Sequence, residues 1–315
     1  MLRVAIAIAL SVVLLAAASP WHEENTSVAV SGATLYGTLT LPSGSGPFPV
    51  ALIIAGSGPT DRNGNQLSLH TDAYKLLAHD LAVRGIATLR YDKRWIGQST
   101  FNGPEEDARF ETFVDDALAC VKKLEADPRF RGVFIIGHSE GSLLGILAAQ
   151  RDPALSGLIS VEGAGRNAAD LLVQQFHDAK ASAADVAAVQ RITQSLRAGS
   201  AVSSVDQSLY MLFRLSVQPY LISWFRYDPA VEIAKLSVPI LIVQGTTDFQ
   251  VGISDAQRLQ SANPHAKLAL IQGMNHILRD APADRTANLA TYAKPSLPLN
   301  AAVVRAVAGF ILNPR

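Results

Sequence analysis

The chain has one cysteine, Cys120, in 315 residues. That excludes an internal disulfide and any cysteine-based zinc site, and a lone cysteine in a helical pattern reads as a small buried hydrophobe. Charge is sparse and balanced: 17% of residues are charged, Lys+Arg and Asp+Glu are both 27, and there is no basic run. Nothing is suited to tracking a phosphate backbone, so nucleic acid is not an expected partner. Long apolar runs are absent except at the start, where Met1-Leu2-Arg3 precedes an apolar stretch from Val4 to Leu15, followed by Ala16-Ala17-Ala18-Ser19. A basic start, a short apolar core and small residues predict a secretory signal over 1–19, cleaved near Ala18, and hence a periplasmic or secreted protein. The run stops near Pro20, short of the roughly 20 residues a bilayer span needs, so stable membrane insertion is not expected. No cysteine follows directly, so lipid attachment there is chemically unavailable. Internal repeats and low-complexity linkers are also lacking.

What is present is apolar: 49% of residues are hydrophobic, enough for a large core in one domain over 20–315. Thr26 to Leu41 alternates around Ser31-Gly32 and predicts an edge hairpin. The apolar run Phe48 to Ala55 empties into the glycine-rich Gly56-Ser57-Gly58-Pro59-Thr60-Asp61-Arg62-Asn63-Gly64-Asn65. A helix near Thr71 to Val83, a strand Ile86 to Asp92 and a helix near Ala108 to Ala126 follow. Val133 to Gly141 is then an apolar run that ends in Gly-x-Ser-x-Gly and turns at once into the stretch Ser142 to Gln150, reading as strand, sharp turn and helix, and Leu155 to Val161 is the next strand. From about 166 to 235 helical spacings dominate, predicting an inserted helical cap. Its aromatics, Tyr210, Phe213, Tyr220, Trp224, Phe225 and Tyr227, either line an acyl pocket or pack the insertion onto the core. Alternation resumes with a strand Val238 to Gly245, a helix near Ser254 to Ala262, a strand Ala266 to Gln272 and a helix near Ala301 to Leu312. Strands alternating with helices predict an α/β fold with a mostly parallel sheet covered on both faces.

The chemistry centres on Gly137-His138-Ser139-Glu140-Gly141, a Gly-x-Ser-x-Gly turn between strand and helix. Such a turn strains the central serine and exposes its hydroxyl, which makes Ser139 the candidate nucleophile. The Glu140 N–H, at a helix N-terminus, is a candidate oxyanion donor. A second donor is expected from the loop after the Val50 to Ala55 strand, Ser57 or its neighbour Gly58. Functional groups in open parallel sheets collect beyond the carboxyl ends of strands. Of the seven histidines, His276 lies just past such an end after Ser139 and is the candidate base. His265 lies at the opposite edge, and His138 reads as packing beside the turn. Asp248 is favoured as the acid on the chain order Ser, Asp, His, with Glu162 as its competitor. Asp61, Asn63, Asn65 and Asp72 have calcium-loop spacing, but Gln66 stands where the required glycine would be, so no metal is expected.

These residues resemble the α/β-hydrolase superfamily over nearly everything after the signal. Gly56 to Asn65, Arg90-Tyr91-Asp92-Lys93-Arg94 and Gly137 to Gly141 are similar to a bacterial branch of carboxylesterases and serine-aminopeptidase-like hydrolases. The resemblance implies Ser139, Asp248 and His276 as a triad, a helical cap before the acid strand, and no cofactor. Trp95 stands where such proteins usually carry glycine, and its ring either narrows the acyl site or packs away from it. The expected substrate is a small or medium acyl ester, with thioesterase, peptidase and lactone hydrolase chemistry open to the same machinery. A catalytically silent binding protein on this scaffold is the contrasting class, disfavoured by the presence of all three triad residue types. The sequence does not specify an oligomeric state.

Overall fold

The computed structural model describes residues 19–314. The expected signal, apart from Ser19, lies outside them. The chain opens with a hairpin of β1 (Trp21–Val30) and β2 (Ala33–Pro42), paired from Trp21 with Pro42 to Val30 with Ala33. Its turn uses Gly32 at φ 69, a left-handed angle that glycine adopts without steric cost. The hairpin begins five residues before the expected Thr26, because tertiary partners extend it. Trp21 stacks on His79 at 3.7 Å, and Glu23 accepts from Thr40 Oγ1 at 3.2 Å and from Arg90. At its open end the Ser43 N–H donates to the Pro20 carbonyl at 3.0 Å.

Then come β3 (Phe48–Ile54), α1 (Ala73–Ala82), β4 (Ala87–Tyr91), α2 (Phe110–Glu125), β5 (Phe130–His138), α3 (Glu140–Arg151) and β6 (Gly157–Val161). The eight-stranded sheet has the order β1-β2-β4-β3-β5-β6-β7-β8, completed by β7 (Ile240–Gly245) and β8 (Lys267–Ile271). The hairpin joins β4 antiparallel, and the pairs from β4 through β8 are parallel. The pleat explains why β3 reads as continuously apolar. Val50, Leu52 and Ile54 face a core shared with α2 and α3, while Ala51 and Ile53 face one shared with α1 and with α11 (Ala301–Leu312).

Between β6 and β7 lie α4 (Ala168–Asp178), α5 (Ala183–Arg197), α6 (Tyr210–Phe213), α7 (Gln218–Trp224) and α8 (Pro229–Ile233). They bury a core of their own around Val189, Leu196, Leu209, Phe213 and Phe225. The aromatics work mainly as packing. The Trp224 ring stacks on Phe110 at 5.6 Å, and Tyr220 and Tyr227 pack on the same ring. Ser223 Oγ accepts from the Phe110 N–H at 2.8 Å, satisfying one of the free amides that begin α2. After β7 come α9 (Ile253–Ala262) and, beyond β8, the short α10 (Arg285–Leu289), which no sequence periodicity announced.

Trp95 sits at φ 63. Its indole meets Phe101 edge-on at 4.4 Å, and Phe101 lies beside Gly32 at the hairpin tip. The indole thus has a packing partner in Phe101. Trp95→Gly removes a left-handed strain of about 1–2 kcal/mol and an aromatic contact of about 0.5–1.5 kcal/mol. Unfolding free energy by chemical denaturation is expected to stay within about 1 kcal/mol of the parent, since the two effects oppose each other.

Candidate active site

The turn from β5 into α3 is built on close approach. A Cβ on Gly137 would run into the backbone of Gly141, and one on Gly141 would lie 2.8 Å from the Ala55 carbonyl oxygen and overlap that of Ile54. Ser139, between them, is held at φ 55 and ψ −120, and its N–H donates to the Val161 carbonyl at 2.9 Å. That bond ties the strained residue to the end of β6. Glu140 begins α3, so its N–H belongs to the helix's unpaired first turn. Gly56 packs against the serine from the β3 side: a Cβ placed there would be 3.1 Å from Ser139 Cβ. The next residue, Ser57, is exposed, and its carbonyl accepts from Thr60 Oγ1 at 3.0 Å.

Asp248 and His276 come from the loops after β7 and β8. His276 Nδ1 lies 2.6 Å from Asp248 Oδ2, and the carboxylate side chain has no exposed surface. Asp248 Oδ1 accepts from the N–H groups of Gln250 at 2.6 Å and Val251 at 3.1 Å. Glu162, the competing acid, is fully buried directly behind. Its Oε1 accepts from the Gly245 N–H at 2.9 Å, its Oε2 accepts from Gln244 Nε2, and its carboxyl shares a hydrogen bond with Asp248. Ligand-type atoms of Glu162, Asp248 and His276 lie within 4.8 Å of one another. Two adjacent buried carboxyls do not both ionise. Burial pushes Glu162 well above the ordinary carboxylate range and the Asp248 charge adds to the push. Burial opposes ionisation of Asp248 too, but the His276 ring and the hydrogen bonds from His276, Glu162 and Gln250 hold it below its usual value. The imidazole therefore rests on Asp248, and Glu162 stands as a neutral acid behind it.

His138 does more than pack. Its Nε2 lies 2.8 Å from the His276 carbonyl, which only accepts, so Nε2 carries the ring proton. Its Nδ1, 2.8 Å from Tyr74 Oη, accepts the tyrosine proton, and Tyr74 Oη accepts in turn from the Gly56 N–H at 3.1 Å. A buried chain of hydrogen bonds thus joins the loop after β3, the residue before Ser139 and the main chain of the candidate base. Tyr74 escaped sequence reading because it occupies an ordinary core position of α1. The loop with calcium-like spacing is spent on itself. Asp61 Oδ1 accepts from the N–H groups of Asn63 and Asn65 at 2.8 Å each, and Asn65 Nδ2 donates to Asp72 Oδ1 at 2.8 Å. His265 is exposed ahead of β8, away from this cluster.

Burial, with the His276 charge adding to it, lowers the pKa of His138 from 6.5 to about 3. As pH falls from 6.5 toward 3, the unfolded chain takes up a proton at this residue that the folded chain refuses. Stability is therefore lost on acidification, by up to about 1.4 kcal/mol per pH unit from this group. His138→Gln, which cannot titrate, is expected to be less stable than the parent near pH 7 and to close that gap near about pH 4. Denaturant titrations at the two pH values check it.

A family model described as serine aminopeptidase, S33, matches residues 67–280. Esterase EstD of Thermotoga maritima is 27% identical over 272 residues, which cover 82% of this chain and 61% of that protein. The chain thus spans less than two thirds of that relative's length. Est1E from Butyrivibrio proteoclasticus is similar with a TM-score of 0.60 at 18% identity, over 92% of this chain and 98% of its own. Proline iminopeptidase from Mycobacterium smegmatis is similar with a TM-score of 0.61 at 16% identity, over 92% of this chain and 98% of its own. At these identities the likeness speaks for the fold. With the mostly parallel sheet, the glycine-framed turn after β5 and the family match, the chain belongs to the serine aminopeptidase S33 family, built on the α/β-hydrolase fold.

Proposed function

We propose that the protein is an exported serine hydrolase, a carboxylesterase acting on small or medium acyl esters. The observation that carries this reading is the 2.6 Å pair of Asp248 and His276, beyond the ends of β7 and β8 on the same carboxyl edge of the sheet as the Ser139 turn. Asp248 accepts a hydrogen bond from the Nδ1–H of His276, leaving Nε2 as the basic nitrogen. In the reaction, Ser139 Oγ attacks the ester carbonyl carbon and His276 takes the hydroxyl proton. The carbonyl oxygen, now negative, accepts from the N–H groups of Ser57 and Glu140. Collapse expels the alcohol, which leaves with the proton from His276, and an acyl-Ser139 ester remains. Water then attacks that ester with His276 again as base, releasing the carboxylic acid and free serine. No step needs a cofactor.

The relative named as an esterase supports ester over peptide substrates. The family description and the neighbour named as an iminopeptidase favour a second reading, aminopeptidase chemistry with the same residues. Export is supported by the basic, apolar and small-residue order of residues 1–19. Among the described residues no helix is long and apolar enough to cross a membrane.

A fluorophosphonate probe is expected to label the parent and not Ser139→Ala, and the variant should lose ester turnover while keeping its melting temperature. Faster hydrolysis of aminoacyl anilides than of p-nitrophenyl esters would transfer the assignment to the second reading. Asp248→Asn should lower kcat by on the order of 10⁴, because the tautomer of His276 is no longer fixed. Glu162→Gln should cost far less, since the amide still donates to Asp248 where the neutral acid did. Steady-state kinetics of the two variants check the ranking, and its reversal would move the acid role to Glu162.

A further inference from the structure

The loop after β4 carries Asp92, Lys93 and Arg94, all buried. Asp92 is engaged by Arg62 at 2.7 Å and Arg94 by Asp116 at 2.6 Å, so the main chain on both sides of Lys93 is fixed. The Lys93 ammonium reaches across the end of the sheet. It donates to the Gly56 carbonyl at 2.7 Å and lies 3.6 Å from Glu140 Oε1. Burial lowers the pKa of Lys93, and the Glu140 carboxylate opposes that shift. The Tyr220 hydroxyl, from the cap, hydrogen-bonds the same carboxylate.

Gly56 and Gly58 flank Ser57, and Gly58 is at φ 75. The Gly56–Ser57 peptide turns about ψ of Gly56, which has no side chain to restrict it, so what binds the peptide sets its orientation. In a trans peptide the C=O of one residue and the N–H of the next point in opposite directions within one plane. Whatever binds the Gly56 oxygen therefore sets where the Ser57 N–H points. Tyr74 holds Gly56 by its N–H, and Lys93 holds it by its carbonyl. We propose that Lys93 is a positioning residue for the oxyanion site: by binding the Gly56 carbonyl it orients the Gly56–Ser57 peptide and so aims the Ser57 N–H at the developing oxyanion. This rests on the proposed role of Ser57. The ammonium also offsets the charge of Glu140, which would otherwise face the oxyanion from the residue next to the nucleophile. Aiming the peptide and neutralising Glu140 are separable effects.

The test uses the full-length parent, Lys93→Met, Glu140→Gln and the double variant Lys93→Met/Glu140→Gln. Each is assayed with a p-nitrophenyl ester, with a trifluoromethyl ketone that forms a tetrahedral adduct on serine, and with an ether analogue of the ester that cannot. Loss of an aimed oxyanion donor should lower kcat of Lys93→Met by about 10- to 100-fold and weaken the ketone by a similar factor. KM and ether affinity should stay within about twofold, because the donor acts on the tetrahedral state. The double variant, with the charge of Glu140 gone, should remain impaired. Its recovery to the level of Glu140→Gln would overturn the proposal, leaving Lys93 a counter-charge only. Equal weakening of ketone and ether would also overturn it, since a merely deformed pocket loses both. If Lys93→Met does not fold, Lys93→Gln/Glu140→Gln, which keeps two buried polar side chains but is too short to hold Gly56, gives the same readouts. The ketone reports on serine and oxyanion site whatever acyl compound is turned over. Slow ester turnover with ketone binding intact would refute the esterase reading and leave the Lys93 comparison decisive, whereas a parent that does not bind the ketone would overturn both.

Discussion

Gly137 and Gly141 let the turn after β5 press against the carboxyl end of β3, and the arrangement of the site descends from that contact. With side chains at either position, α3 would be pushed away from the Ile54 and Ala55 carbonyls. The seating is what places Gly56 against Ser139, and it also lets the Ser139 N–H reach Val161 on β6. Strain at a residue with φ 55 survives because neighbours on both sides over-determine it. Precision at the serine is thus a property of three adjacent strand ends, not of the turn alone.

Around this point the protein buries several ionisable groups and gives each a partner. An unpaired buried charge is costly, and deleting one member of a buried pair is strongly destabilising. Lys93 faces Glu140, Arg94 meets Asp116, and Asp248 lies between His276 and the neutral acid of Glu162. His138, next to Ser139, takes the other course and stays neutral, with both ring nitrogens engaged. The ring of His276 is therefore held by a charged group and its main chain by an uncharged hydrogen-bond chain.

Much of this was legible in the sequence because it rests on local pattern. Apolar runs ending in glycine located the parallel strands, and the strand-turn-helix around Ser139 needed no tertiary information. Asp248 and His276, which the structure pairs, stand out in the sequence because both lie directly beyond strand ends. The functions of Glu162, Lys93 and Tyr74 were not legible, since each depends on a partner far along the chain: Asp248 for Glu162, Gly56 for Lys93, His138 for Tyr74. Glu162 also takes φ 51, an angle its sequence neighbours do not require. The aromatics of the cap were ambiguous because a ring in a pocket and a ring on a helix obey the same spacing, and only the stacking on Phe110 separates the two.

The register of the first hairpin has a consequence for how the molecule is presented. Trp21 pairs with Pro42, at the end of β2 remote from the residues that align with Tyr91 and the end of β4. Ser19 and Pro20, tied to Ser43, thus leave the sheet at its amino edge, while Ser139, Asp248 and His276 gather at its carboxyl edge. A tether or support joined at Ser19 is therefore anchored at the edge of the sheet opposite Ser139, Asp248 and His276.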